Sequence, residues 1–273
     1  MKKLALSSLI AVFAVSGAHA ANVIDGNPLY MPKANHFYSV TDLSSHSETT
    51  KDLTLTEDFG YGITDRLAVE VSTALYEGAE DPGDDEMFDV YGMGNVSLKA
   101  TFRALDLGAW KVDAYGKYAS EGATIFAHSD GADDTFWFDK DLINYRWTAG
   151  VRGGYTTSLF TVAGHVEFDY LNTESFNWND EGLHTWTVGV DGQFVIDENW
   201  NLVAGVEYKG RTDDGLKNAG TWAGMAGVNY NIDATKFVGA YVKADMKHWK
   251  DNGEKGWELN DGFGYGVRFG IDF

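Results

Sequence analysis

Two adjacent pairs, His46-Ser47 and His128-Ser129, are the places where this chain could carry hydrolytic chemistry. A serine nucleophile needs a base within hydrogen-bond reach and a third group that orients the base. Both pairs fall between the apolar segments, neighbours along a strand point to opposite faces, and no Asn or Asp stands where it would orient either His. They are read as chance adjacency, and no catalysis is expected. No His, Asp or Glu cluster shows metal-ligand spacing, and the acidic stretches do not follow a calcium-binding loop. The chain has 0 cysteines, which removes thiolate and disulfide chemistry. No cofactor is expected.

A second set of residues does show a pattern. Lys99, Arg103, Lys111, Lys117, Arg146 and Arg152 precede Glu167, Asp169 and Asp191, and each lies one step out of phase with a bulky apolar residue. In strands that phase separates two faces. One face is apolar; the other carries a basic wall over three neighbouring segments and an acidic wall, with His165, over the next two. Such walls would line a cavity and orient polar solutes, or pair with one another and close it.

The elements that would position these charges are strands. Lys2 and Lys3, the apolar stretch 4–15 and Ala18-His19-Ala20 read as a secretory signal peptide cut after Ala20, leaving 21–273 as the mature domain. No apolar run long enough for a helical span follows. Alternating segments are expected at 53–63, 67–76, 90–103, 110–118, 143–155, 160–170, 185–196, 200–209, 222–232, 237–247 and 263–273, with a weaker one at 34–43. Short breaks such as Thr64-Asp65-Arg66 and Asp197-Glu198-Asn199 alternate with long ones. A closed antiparallel transmembrane β-barrel of about twelve strands, with short periplasmic turns and longer outer loops, meets this pattern. The 32 glycines and only 3 prolines suit uninterrupted strands with a small-residue inner face, and 14% aromatic residues suit interfacial girdles. Glu57 does not fit, because parity puts it on the apolar face; a bulge that turns it inward is expected.

The formal charge is -20, which argues against nucleic acid as a partner. Much of it crowds the expected outer loops, at Glu77, Glu80, Asp81, Asp84, Asp85, Glu86 and Asp89, and at Asp130, Asp133, Asp134, Asp139 and Asp141. These acids solvate the surface or bridge divalent cations to lipopolysaccharide.

Tyr265, Val267, Phe269, Ile271 and the terminal Phe273 alternate with glycine or charge. This ending resembles the assembly signal of Gram-negative outer-membrane barrels, which implies the barrel-assembly machinery and outer-membrane lipids as partners. Phe59-Gly60-Tyr61-Gly62-Ile63-Thr64-Asp65-Arg66-Leu67 resembles the first hairpin of the outer-membrane proteins grouped with phenol-degradation pathways. That resemblance implies an uptake channel for small molecules, aromatic ones among them, and transfers no site residue. The expected function is a porin-like channel for passive diffusion of small solutes with a charged lumen; the alternative is a structural or adhesive surface barrel with a closed lumen and acidic loops that bind cations or lipopolysaccharide.

Overall fold

In the computed structural model the described residues are 26–46, 53–77, 90–121, 125–129, 134–138, 144–172, 183–211, 220–251 and 254–273. They form fourteen strands: β1 (Phe37–His46), β2 (Thr54–Thr64), β3 (Leu67–Glu77), β4 (Val90–Leu107), β5 (Trp110–Glu121), β6 (Ile125–Ser129), β7 (Asp134–Phe138), β8 (Asn144–Thr156), β9 (Phe160–Asn172), β10 (Leu183–Val195), β11 (Trp200–Arg211), β12 (Thr221–Asn231), β13 (Lys236–Asp251) and β14 (Glu254–Asp272). Each barrel strand pairs antiparallel with both neighbours, and β1 pairs with β14 from Tyr38↔Asp272 to His46↔Gly264, so the barrel closes on itself. Twelve strands make the closed barrel. The remaining two, β6 and β7, form a hairpin joined to β4 through Met93↔Ile125.

Closure follows from the sequence pattern. Leu98, Val166, Val190 and Val242 point outward and are half or more exposed, which a soluble domain would not tolerate over a continuous belt. Aromatic pairs bound the belt on both sides. Trp110–Tyr155 and Trp200–Tyr230 lie near the short turns, with centroids 4.9 Å apart in both pairs. Tyr118–Trp147 and Tyr208–Trp222 lie toward the long loops, at 4.7 and 5.0 Å. Trp110 to Tyr118 and Trp200 to Tyr208 each cover eight steps of strand. At about 3.3 Å per residue and roughly 40° of tilt, that is about 20 Å of membrane depth, close to the apolar band of an outer-membrane barrel.

Several expected boundaries shift. β4 runs on to Leu107 instead of ending at Arg103, because a bulge between Arg103 and Leu105 keeps it paired with β5 down to a turn at Gly108. The stretch 249–262, expected as loop, is mostly a continuation of β13 and β14 beyond a bulge at Ala244/Asp245. β1 starts at Phe37 rather than at Ala34. Asn35 adopts φ 63, a left-handed conformation that Asn tolerates, and turns the preceding chain away from the sheet. His46 ends β1 and His128-Ser129 ends β6, so these residues lie on strands and not in loops. Of the acidic stretches, Glu77 ends β3 and Asp134 opens β7; the others lie outside the described residues.

Glu57 corrects a further expectation. The β1–β2 register runs unbroken through Thr41↔Glu57, and β2–β3 through Glu57↔Thr73, so no bulge turns it inward. It stays on the outward face, where Thr41 Oγ1 donates to its carboxylate at 2.5 Å and Ser39 Oγ donates to the other oxygen. The weak alternation of the first strand has the same origin. Ser39 and Thr41 take outward positions that elsewhere hold large apolar residues, because they solvate this carboxylate.

Candidate functional site

The lumen holds the candidate site, and three groups of side chains build it. On β4, β5 and β8 the inward positions carry Lys99, Arg103, Lys111, Lys117, Arg146 and Arg152; on β9 and β10 they carry Glu167, Asp169 and Asp191. All nine residues singled out by phase line the interior. In the closed-lumen alternative, Arg146 and Arg152 would pair with Glu167 and Asp169 across adjacent strands; Arg152 pairs elsewhere. Arg152 Nε donates to Asp113 Oδ2 at 2.9 Å. Arg103 grips the same carboxylate twice, Nε to Oδ1 at 2.8 Å and Nη2 to Oδ2 at 3.2 Å. Asp113 is 0% exposed, so one buried carboxylate holds two guanidinium groups. Glu167 instead accepts from Tyr115 Oη at 2.6 Å, and Asp169 from Thr148 Oγ1 at 2.5 Å and Thr185 Oγ1 at 3.2 Å.

The second group adjoins the first along the wall, since His165 on β9 is the in-register partner of Arg152 on β8. His165 Nδ1 is 2.9 Å from Asp191 Oδ2 and its Nε2 is 3.6 Å from Glu207 Oε2. The side chains of Asp191 and Glu207 remain 42% and 44% exposed. Near β1 and β3, Lys99 Nζ donates to Glu70 Oε1 at 3.3 Å, and Tyr38 Oη donates to the other oxygen of Glu70. Arg268 lies over the ring of Tyr241, 4.8 Å from its centroid, and Tyr241 Oη donates to Asp42 at 2.8 Å.

The third group is not part of the sheet. Residues 26–36 run through the lumen as a strap. Gly26 packs against Val203 on β11 and Asn229 on β12. Leu29 is 3% exposed, and its carbonyl accepts from Arg103 Nη2 at 2.7 Å. The carbonyl of Tyr30 accepts from Arg152 Nη2 at 2.9 Å, and Tyr30 Oη donates to Asp272 Oδ2 at 2.9 Å. At the other end Ala34 N donates to Asp65 Oδ1 at 3.1 Å, and Asn35 N to Gly62 O at 2.7 Å. The strap therefore crosses from the foot of β1 and β2 to the opposite wall. Pro28 and Pro32, two of the chain's 3 prolines, lie in it. Lacking N–H donors, they keep the segment from adding to the sheet.

The strap divides the interior. A cavity of about 550 Å³ lies on the side of the long loops, lined by Lys99, Lys117, Arg146, Glu167, Asp191 and Glu207. A second, of about 700 Å³, lies on the side of the short turns, where Thr157, Asp197, Asn199 and Asp233 surround it. Asn27 borders both. Sequence phase missed the strap because the segment carries no alternation. The two closely spaced prolines were its only signal.

Of the terminal residues read as an assembly signal, Tyr265, Val267 and Phe273 are exposed on the outer wall, and Phe273 stacks on Phe37 with centroids 6.0 Å apart. Ile271 is not exposed; it is buried where Ser39 and Lys236 flank it in register. Phe269 is half-buried.

No protein-family model matches the chain, and no curated protein does. Solved structures share its fold. The COG4313 outer membrane channel from Pseudomonas putida F1 is similar at 15% identity and a TM-score of 0.53, over 95% of this chain and 100% of that one. The KdgM porin is similar at 9% identity and TM-score 0.54, over 86% of this chain and 99% of that one, and the NanC porin at 10% and 0.53, over 87% and 98%. The fold is that of the outer-membrane β-barrels, and the likeness extends no further than the fold.

Proposed function

We propose that this protein is a passive outer-membrane channel for small polar solutes, in which facing walls of opposite charge orient the solute. The observation that carries the reading is the pair of cavities inside a closed barrel, about 550 and 700 Å³, bordered by charged and polar side chains rather than filled by apolar ones. Twelve strands fall between the roughly eight of a filled barrel and the sixteen to eighteen that leave an open aqueous channel. In the outer cavity Lys99, Lys117 and Arg146 face Glu167, Asp191 and Glu207. Cations and anions are nearly balanced there, although the chain carries -20, so the field lies across the bore rather than along it. Among the described residues Tyr115 is the single Phe, Trp or Tyr ring in that lining, which favours polar over aromatic solutes.

The test is a planar-bilayer recording. The purified protein should give discrete conductance, and K117Q/R146Q should shift its selectivity toward cations by removing two positive charges from one wall. Silence in several lipid compositions, both of this protein and of a variant with Leu29 and Tyr30 replaced by glycine, would end the channel reading. One observation favours the alternative, a closed surface barrel whose acidic loops bind cations or lipopolysaccharide: the strap lies across the bore.

A further inference from the structure

We propose that the strap of residues 26–36 is a latched constriction, hinged at Asn35, whose release joins the two cavities into one path; the inference rests on the channel reading above. Three observations converge on it. First, the strap separates the cavities: Gly26, Asn27 and Pro28 border the outer one, and Asn27, Leu29, Tyr30 and Met31 border the inner one. A solute that travels the length of the barrel must pass this segment.

Second, the strap is held by few bonds, and they are concentrated. Its middle hangs on two guanidinium-to-carbonyl contacts, Arg103 to Leu29 and Arg152 to Tyr30, and on the Tyr30–Asp272 bond. Both guanidinium groups are already fixed by Asp113, so they form a rigid hook before the strap arrives. The acceptors are neutral carbonyls. A guanidinium bond to a neutral carbonyl is weaker than one to a carboxylate of opposite charge, and Arg103 grips Asp113 through two bonds at once, so the hook would let go of the strap before it let go of Asp113.

Third, at Asn35 the chain is pinned to the β2–β3 turn through Gly62 and Asp65, and Tyr61 Oη donates to Asn35 Oδ1 at 3.0 Å. Gly26, in the left-handed region at φ 93, lies beside Val203 and Asn229. A segment pinned at Asn35 and hooked at its middle turns about Asn35 when the hook lets go. Inserting the strap into the sheet would have made it permanent, and its prolines oppose that.

A reversible lock tests this in the full-length protein. A Cβ built on Gly26 would lie 3.4 Å from Val203 Cβ, just under the roughly 3.5–4.5 Å that a disulfide spans, and at φ 93 a cysteine there closes the bond under strain. The chain has 0 cysteines of its own, so G26C/V203C introduces a single pair. Under oxidation the large openings should vanish, and dithiothreitol should restore them in the same membrane. L29G/Y30G removes the bulk and the Tyr30–Asp272 bond, and should raise conductance severalfold. R152Q leaves Asp113 paired one-to-one with Arg103 and should lengthen openings. Identical currents before and after reduction of the formed disulfide, or unchanged conductance in L29G/Y30G, would each overturn the inference. A silent parent beside a conducting L29G/Y30G supports it. Silence in both sinks this inference and the channel reading together.

Discussion

Two charge clusters on the inner wall use similar groups for opposite ends. Beneath the strap, Arg103, Asp113 and Arg152 form a clamp in which the carboxylate is 0% exposed. Beside it, on β9, β10 and β11, His165, Asp191 and Glu207 form a looser group whose two carboxylates are 42% and 44% exposed. Both sit on inward positions of neighbouring strands, and strand phase alone treats them alike. What separates them is the strap, which excludes water from the first and leaves the second open to the outer cavity. The clamp is therefore structural, and the open cluster is the one that a passing solute meets.

The largest break in that comparison comes from neutralising the shared carboxylate. Asp113→Asn removes the carboxylate that Arg103 and Arg152 share and leaves Arg103 only the more distant Asp106, at 3.9 Å; losing one partner of a buried ion pair costs about 3–5 kcal/mol. The variant should unfold at clearly lower urea in a vesicle-folding titration. Asp191→Asn, run in parallel, should shift the midpoint little, since an exposed ion pair contributes roughly 0–1 kcal/mol. The same Asp191→Asn should change ion selectivity, toward anions, whereas the parent's pairing at Asp113 offers no mobile ion a free charge. Equal destabilisation by both substitutions would erase the distinction.

A smaller effect sharpens the contrast between the two faces that share each strand. Val190 and Asp191 are neighbours on β10, and Val190 lies four residues from both Trp186 and Phe194, near the middle of the apolar band. Val190→Lys should cost about 2–4 kcal/mol in the same titration, the depth-dependent penalty for a cation facing lipid. Asp191→Lys, one step along and inward, should fold with little penalty and alter selectivity instead. A matching penalty at both positions would mean that the inner face is as dry as the outer one.

The fold was legible in the sequence because its cause is periodic. A strand that faces lipid on one side and water on the other must alternate, and the residues that do so, from Trp110 to Tyr118 or Trp200 to Tyr208, announce their own faces. Direction was legible for the same reason, so Lys99, Arg146 and Asp191 fall on the inner wall as their phase requires. Engagement was not. Whether Arg152 meets Glu167 or Asp113 depends on a segment that lies in no strand, and the strap's contacts join residues such as Arg152 and Tyr30 that are 122 positions apart. Phase also misled where a strand departs from its own rule. Glu57 looked like a bulge because a lipid-facing carboxylate is costly; the sheet instead keeps its register and supplies two hydroxyl donors from β1. A cross-strand remedy of that kind cannot be seen within one segment.

Glu57 sets the smallest of these tests. It stands four residues above Tyr61, half the distance between the aromatic girdles, and among the described residues it is the one acid on the outer face at that depth. Ser39 and Thr41 already occupy both oxygens, so the carboxylate resembles the Asp113 clamp in being solvated by protein, with hydroxyls in place of guanidinium groups. Glu57→Gln keeps one oxygen as acceptor and removes the charge. The lost bond, of about 1 kcal/mol, is opposed by relief from holding an ion against hydrocarbon, so the net change in folding stability should stay within about 1 kcal/mol. A loss comparable with that of Asp113→Asn would show that the charge itself is used. In that event the outer wall would need a cationic partner at Glu57, and the inner and outer faces would differ less than their sequences imply.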